Sequence, residues 1–274
     1  MGSIIMDILY ALLLGLIEGV TEWLPVSSTG HLILVDAWIQ PHLTDNFKEF
    51  YYVVIQLGAI MAVVVLYWQR LLPFTMKEGI HWKQETLTLW LKVLVACIPA
   101  ALYAFILDGK LYDVFYNYWT VAIMLVVVGV LFLVIETKHK GKDTSGKTIA
   151  DISYTAVLII GVAQMIAAIL PGTSRSGATI LCGLMLGMAR SSAADFSFML
   201  AIPAMFGASF LKLLKFGFVF SSTEILILVI GMVTAFLVSM VSIKFLQNYV
   251  RKHDFKVFGW YRIVLGGLVL LSFL

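Results

Sequence analysis

Two short stretches hold most of the residues able to do chemistry in an otherwise apolar chain. EGVTEWLPVSSTGH covers residues 18–31 and PGTSRSG covers residues 171–177. In the first, Glu18 and Glu22 are four apart and share a helix face. Pro25 ends that helix, because the residue before a proline avoids helical geometry. Ser27, Ser28 and Thr29 then stand where a second helix would start. They are good N-caps, and the free N–H groups of a helix start attract anions. His31 follows Ser28 by about one turn. In the second stretch, Gly172 and Gly177 allow a tight turn and close backbone approach. Thr173, Ser174 and Ser176 supply hydroxyls, and Arg175 supplies a planar fork suited to phosphate.

Brought together, these groups suit phosphoryl chemistry better than sugar binding. The arginine calls for an anionic phosphate, bound with Ser27, Thr29, Thr173, Ser174 and Ser176. The carboxylates call for a divalent cation, magnesium or calcium, at Glu18 and Glu22, or for proton transfer. Ser28 is the candidate nucleophile, and a serine hydroxyl needs a base. His31 or Glu22 can take that proton; His31 is assigned to it and to the leaving group, Glu22 mainly to positioning. A metal-activated water with His31 as its base is the competing attack. Plainer roles exist for each residue. Glu18 and Glu22 would serve as a structural ion network with Arg175, His31 as a hydrogen-bonded core histidine, and Ser28 as a helix cap. Gln164 reads as a hydrogen-bonded core residue, and Arg262 as an interfacial anchor or ion-pair partner.

The rest of the chain must position this set. Of 274 residues, 61% are hydrophobic and 13% charged, and the mean hydropathy is +0.97. Soluble domains carry roughly 25% charged residues, so a soluble enzyme and a disordered chain are both excluded. A net charge of +3 without a dense basic run gives no footprint for nucleic acid. The N-terminal MGSIIMDILYALLLGLIEG lacks a basic leader and a small-residue cleavage site, and is read as part of the mature chain.

Uncharged runs over 51–68, 93–107, 114–135, 196–211 and 225–243, with a terminal run over 257–274 interrupted by Arg262, predict six spanning helices. Regions 4–40 and 152–189 are each two short helices broken at a Pro/Ser/Gly turn. Irregular backbone at membrane depth needs cover from protein or a water-filled cavity. A shift of 146 residues superposes Gly15 on Gly161, Pro25 on Pro171, Ser28 on Ser174 and Phe50 on Phe196. The order of elements then repeats: a broken pair followed by three long helices. Each half crosses an odd number of times, so the halves are inverted, and the site is expected at their interface near the midplane. A single membrane domain over 1–274 is predicted, with halves 1–137 and 151–274 joined by a polar linker, 138–150. Twelve loop lysines and arginines, from Arg70 to Lys256, fall on one side. Lys48, Lys110, Lys212 and Lys215 fall on the other. The richer side is cytoplasmic, so both termini and the first broken pair face outside.

EGVTEWLPVSSTGH and LPGTSRSGATI, with VIQLGAIMAVV and FSFMLAIPAMFGAS, strongly resemble the bacterial undecaprenyl-diphosphatase family, also called BacA or bacitracin-resistance proteins. The resemblance runs over nearly the whole chain. It implies an all-α polytopic membrane protein with inverted repeats, six transmembrane helices and two re-entrant helical hairpins. It further implies an enzyme of the bacterial cytoplasmic (inner) membrane that hydrolyses undecaprenyl diphosphate to the monophosphate and inorganic phosphate. That reaction recycles the carrier lipid for peptidoglycan synthesis and confers bacitracin resistance. The family's important residues fall on Glu18, Glu22, Ser28, Thr29, His31, Ser174, Arg175 and Ser176. The expected partners are the polyprenyl diphosphate and the lipid bilayer; a homodimer is left open. The inverted repeat also suits a transporter or flippase for a phosphorylated lipid.

Overall fold

Long apolar segments must satisfy their own backbone hydrogen bonds, and here they do so as helices. The protein is seen in a computed structural model that describes residues 2–39, 43–75, 81–107, 110–139, 146–217 and 219–273. Its helices are α1 (Gly2–Thr21), α2 (Ser28–Trp38), α3 (Asp45–Leu66), α4 (Trp68–Leu71), α5 (Gln84–Leu107), α6 (Lys110–Phe115), α7 (Tyr118–His139), α8 (Tyr154–Ile169), α9 (Arg175–Met185), α10 (Arg190–Phe216), α11 (Ser222–Val250) and α12 (Lys256–Ser272). One small antiparallel hairpin, β1 (Phe74–Thr75) and β2 (His81–Trp82), lies between α4 and α5. Several starts carry side-chain caps: Thr44 on α3, Ser153 on α8, and a Ser221–Glu224 capping box on α11.

Among the described residues, six helices are long and apolar enough to cross a membrane: α1, α3, α5, α7, α10 and α11. The chain is an all-α polytopic membrane protein, as its composition requires. The set differs from the predicted one by one exchange. The unbroken stretch before Glu22 makes α1 long enough to qualify, whereas α12 has 17 residues and is shorter than the others. Residues 140–145 of the predicted linker lie outside the described residues. The part that follows is pinned: the Lys147 N–H donates to the Gly187 carbonyl, and the Ala189 N–H donates to Lys147.

Helix partners are preserved when the halves are exchanged. α1 packs on α11 and α8 on α5; α2 packs on α12 and α9 on α7; α3·α10 and α7·α12 join across the middle. Small residues permit the closest approach, as expected where apolar burial cannot drive helix association in lipid. A Cβ on Gly259 would lie 2.8 Å from the Gly129 carbonyl oxygen, and one on Gly129 would lie 2.7 Å from the Gly259 oxygen. Gly259→Ala must therefore part α7 from α12, an overpacking that costs ~1–3 kcal/mol. A thermal melt in detergent is expected to fall by several degrees; an unchanged melt would show that the contact tolerates a methyl group.

Polar ties gather the helix ends on two faces. On one, Tyr67, Arg70 and Gln247 all donate to Asp195, while Arg190 pairs with Glu136, which also accepts from the Phe255 N–H. On the other, Lys212 pairs with Glu49, and the hydroxyls of Tyr10 and Tyr52 donate to Asp36. The Tyr10–Asp36 bond places the middle of α1 beside the end of α2, so α2 folds back along the second half of α1 as a helical hairpin. The Lys147 bonds do the same for α8 and α9 on the opposite face.

Candidate active site

The tips of the two hairpins meet. At the first tip the chain leaves α1 at Thr21, turns through Pro25 and starts α2 at Ser28. At the second it leaves α8 at Ile169 and starts α9 at Arg175. Both turns end in the same way. Ser27 has φ 74° and accepts from the Gly30 N–H; Ser174 has φ 68° and accepts from the Gly177 N–H. These are the only non-glycine residues with positive φ among the described residues. Left-handed backbone at a serine costs roughly 1–3 kcal/mol and persists where the surrounding structure imposes it, commonly at functional sites.

This geometry corrects the register read from sequence. Ser27, not Ser28, is the equivalent of Ser174, an offset of 147, because the second turn has one more residue between its proline and its cap. Ser28 is therefore the first residue of its helix, and its structural counterpart is Arg175. The capping role considered for Ser28 belongs to Ser27, which leaves the half-buried Ser28 hydroxyl without that duty.

Glu22 and Arg175 join the tips. The Nε and Nη2 groups of Arg175 donate to Glu22 Oε1 at 3.3 and 2.9 Å, and Nη1 donates to the Ser197 carbonyl at 2.8 Å. Thr179 steadies this strut by donating to Ser197 Oγ. A guanidinium has five N–H donors; three are used here, so one remains on each Nη. Those two donors are available to the oxygens of a phosphate. Ser176 Oγ lies 3.2 Å from Ser174 Oγ and reaches the Leu24 carbonyl of the first tip at 3.5 Å. Thr173 is buried, and among the described residues its hydroxyl has no partner. Ser28 and Thr29 are half-buried on the first turn of α2, where the backbone N–H groups have no acceptor within the helix.

Glu18 is fully buried with the Glu22 carboxyl beside it, and among the described residues no backbone or basic side-chain donor reaches either of its carboxyl oxygens. Buried carboxyls are normally satisfied, so this one is built either to carry a proton or to face a cation. Among the described residues no three His, Cys, Asp or Glu side chains gather around a point. Two carboxylates nevertheless fit a hard cation such as magnesium, which keeps waters and shares phosphate oxygens with substrate.

His31 is held on both sides. Its Nδ1 lies 2.7 Å from the Ser27 carbonyl, and a carbonyl can only accept, so Nδ1 carries a proton. Nε2 lies 2.7 Å from the Tyr261 hydroxyl, and the two rings stack. The neutral ring therefore has its basic lone pair on Nε2. The sequence assigned His31 to Ser28, yet both ring nitrogens are engaged elsewhere.

Two residues of α12 take roles that the sequence reading did not give them. Tyr261 is one. Arg262 is the other: it lies fully buried rather than at an interface, and among the described residues it is not half of an ion pair. Its Nη1 donates to the Pro25 carbonyl at 3.2 Å, and its Nη2 donates to the Gly172 and Thr173 carbonyls at 2.7 and 2.9 Å. It clamps both turns by their carbonyls, and the opposite edges of those turns carry the cap N–H groups. Gln164, the counterpart of Glu18, is buried beside Cys97.

Comparison with known proteins decides the kinship. The family described as "Bacitracin resistance protein BacA" matches residues 11–268. The chain belongs to that family. It is 57% identical over 269 residues to the undecaprenyl-diphosphatase of Desulfitobacterium hafniense, covering 98% of this chain and 97% of the relative. It is 55% identical over 269 residues to the undecaprenyl-diphosphatase of Acetivibrio thermocellus, covering 98% of each. With the undecaprenyl-diphosphatase of Enterococcus faecalis it shares 54% over 267 residues, 97% of this chain and 96% of the relative. This BacA-family chain thus matches its relatives across both hairpin tips and the helices that hold them.

Proposed function

We propose that the protein hydrolyses undecaprenyl diphosphate to undecaprenyl phosphate and inorganic phosphate in the bacterial cytoplasmic membrane, recycling the carrier lipid for peptidoglycan synthesis. The observation that carries this reading is the Glu22–Arg175 pair, which brings two helix starts, several hydroxyls and a carboxylate to one place. The same reaction removes the diphosphate on which bacitracin acts. In this reading the hairpins enter and leave the membrane on their own sides, and their tips form the site near the midplane.

The terminal phosphate sits on the free Nη donors of Arg175, with the α2 and α9 starts and the Ser174, Ser176, Thr173, Ser27 and Thr29 groups around its oxygens. Ser28 Oγ attacks the terminal phosphorus. The bond to the bridging oxygen breaks, and undecaprenyl phosphate leaves with that oxygen. Once the Tyr261 hydroxyl yields it, His31 Nε2 takes the serine proton and returns a proton when water later attacks the phosphoserine and frees phosphate. Glu18 and Glu22 would hold a divalent cation, which when bound neutralises charge on the diphosphate. The glutamates orient it, and Glu22 also fixes Arg175.

Release of phosphate from a polyprenyl diphosphate by purified protein in detergent tests the reading, because detergent leaves no second compartment. Absence of release with magnesium or calcium supplied would favour a flippase that uses the same exchange-symmetric helices.

The charge bias of the loops supports one direction. Both termini and the opening of the first hairpin face outside, and the face of Arg70, Arg190 and Lys147 is cytoplasmic. A reporter fused after residue 274 is expected to read as extracytoplasmic in intact cells. A cytoplasmic signal would reverse the direction of site access.

A further inference from the structure

We infer that Tyr261 is a positioning residue for His31, fixing the ring so that Nε2 is presented as the base of the hydrolytic site. This rests on the hydrolysis proposed above. Three contacts converge on the His31 ring. Nδ1–H is spent on the Ser27 carbonyl at 2.7 Å, the Tyr261 hydroxyl meets Nε2 at 2.7 Å, and the rings lie 5.6 Å apart at 14°. Tyr261 is 230 positions from His31 and on a different helix, so local geometry does not force the contact.

The Ser27 carbonyl sets which nitrogen carries the proton, but one hydrogen bond leaves a ring free to swing about its χ2. The second bond and the stack remove that freedom. Tyr261 keeps its backbone in place independently, because the next residue, Arg262, is buried and bound to three carbonyls of the two tips. One turn of α12 thus fixes the turns through Arg262 and the base through Tyr261. Tyr261 is half-exposed, so its hydroxyl can yield Nε2 to a substrate group or to the Ser28 hydroxyl without rearranging the core.

The test is Tyr261→Phe, which keeps the ring stack and removes one oxygen. Turnover of a polyprenyl diphosphate is expected to fall about tenfold with KM within about twofold, a part of the ~10²–10⁴ that positioned proton transfer supplies. In a His31→Ala background the same substitution is expected to change turnover by less than about twofold, since the residue acts through His31. In ¹⁵N-histidine spectra, with His31 assigned by loss of its signal in His31→Gln, the Nε2 resonance is expected to move in Tyr261→Phe. Full turnover in Tyr261→Phe, an equal loss in both backgrounds, or an unmoved Nε2 resonance would each overturn the inference. If the wild type released no phosphate, the hydrolysis reading would fall, and the Nε2 resonance would still decide whether Tyr261 holds the ring.

Discussion

Arg175→Ala is expected to lower turnover by ~10³-fold or more, about 4 kcal/mol of transition-state stabilisation. The transferring phosphate carries its charge on equatorial oxygens, and in a site between helix tips little water can neutralise it. Arg175 is the cation placed there, with two N–H groups left after Glu22 and Ser197 are satisfied. The alanine variant also strands Glu22 in a buried position, which alone destabilises by roughly 3–5 kcal/mol. Arg175→Lys separates the two effects. Lysine keeps a charge beside Glu22 and so keeps the fold, but its ammonium cannot hold Glu22, the Ser197 carbonyl and a phosphate edge together. A folded Arg175→Lys protein with turnover reduced ~10²-fold or more is the expected result. A lysine variant with full turnover would reduce Arg175 to a structural strut between the tips.

Ser28→Ala is expected to cost more than His31→Ala. A positioned proton-transfer group contributes ~10²–10⁴-fold, so His31→Ala should leave measurable turnover, whereas loss of the nucleophile removes the covalent route altogether. The structure strengthens the case for Ser28 in one respect: capping falls to Ser27, so the Ser28 hydroxyl is not spent on the helix start. Ser28→Cys keeps a nucleophile of different softness and is expected to retain partial activity. Wild-type protein mixed with substrate labelled in the terminal phosphate should carry label on Ser28 after a rapid quench. Near-normal turnover in Ser28→Ala, with no labelled protein in the wild type, would make water the nucleophile and Ser28 a phosphate ligand.

Much of this candidate site is legible in the amino-acid sequence. Glu18, Glu22, Arg175 and the serine-rich turns stand out because ionisable groups inside apolar stretches are costly, and proline and glycine mark where helices break. The apolar runs predicted the helices for the same reason. The register of the tips was not legible. A one-residue difference in turn length moves the equivalence from Ser28 to Ser27, and nothing in a serine announces a left-handed backbone. Tyr261 and Arg262 were hidden differently. An arginine and a tyrosine near the end of an apolar helix normally mark the lipid interface. Only the return of α12 against both tips buries Arg262 and brings Tyr261 to His31, and no local pattern links residue 261 to residue 31. The burial of Glu18 without a backbone or basic donor likewise depends on which helices close around it, a property of packing rather than of spacing.

The most direct measurement of the central claim follows both phosphorus atoms at once. Purified protein in detergent, with undecaprenyl diphosphate and magnesium, is observed by ³¹P NMR. The two coupled diphosphate resonances are expected to disappear together, replaced by equal amounts of a phosphate monoester and inorganic phosphate, and Arg175→Ala should leave them unchanged over the same time. Persistence of the diphosphate signals in the wild type, or appearance of inorganic diphosphate from cleavage at the prenyl carbon, would contradict the account.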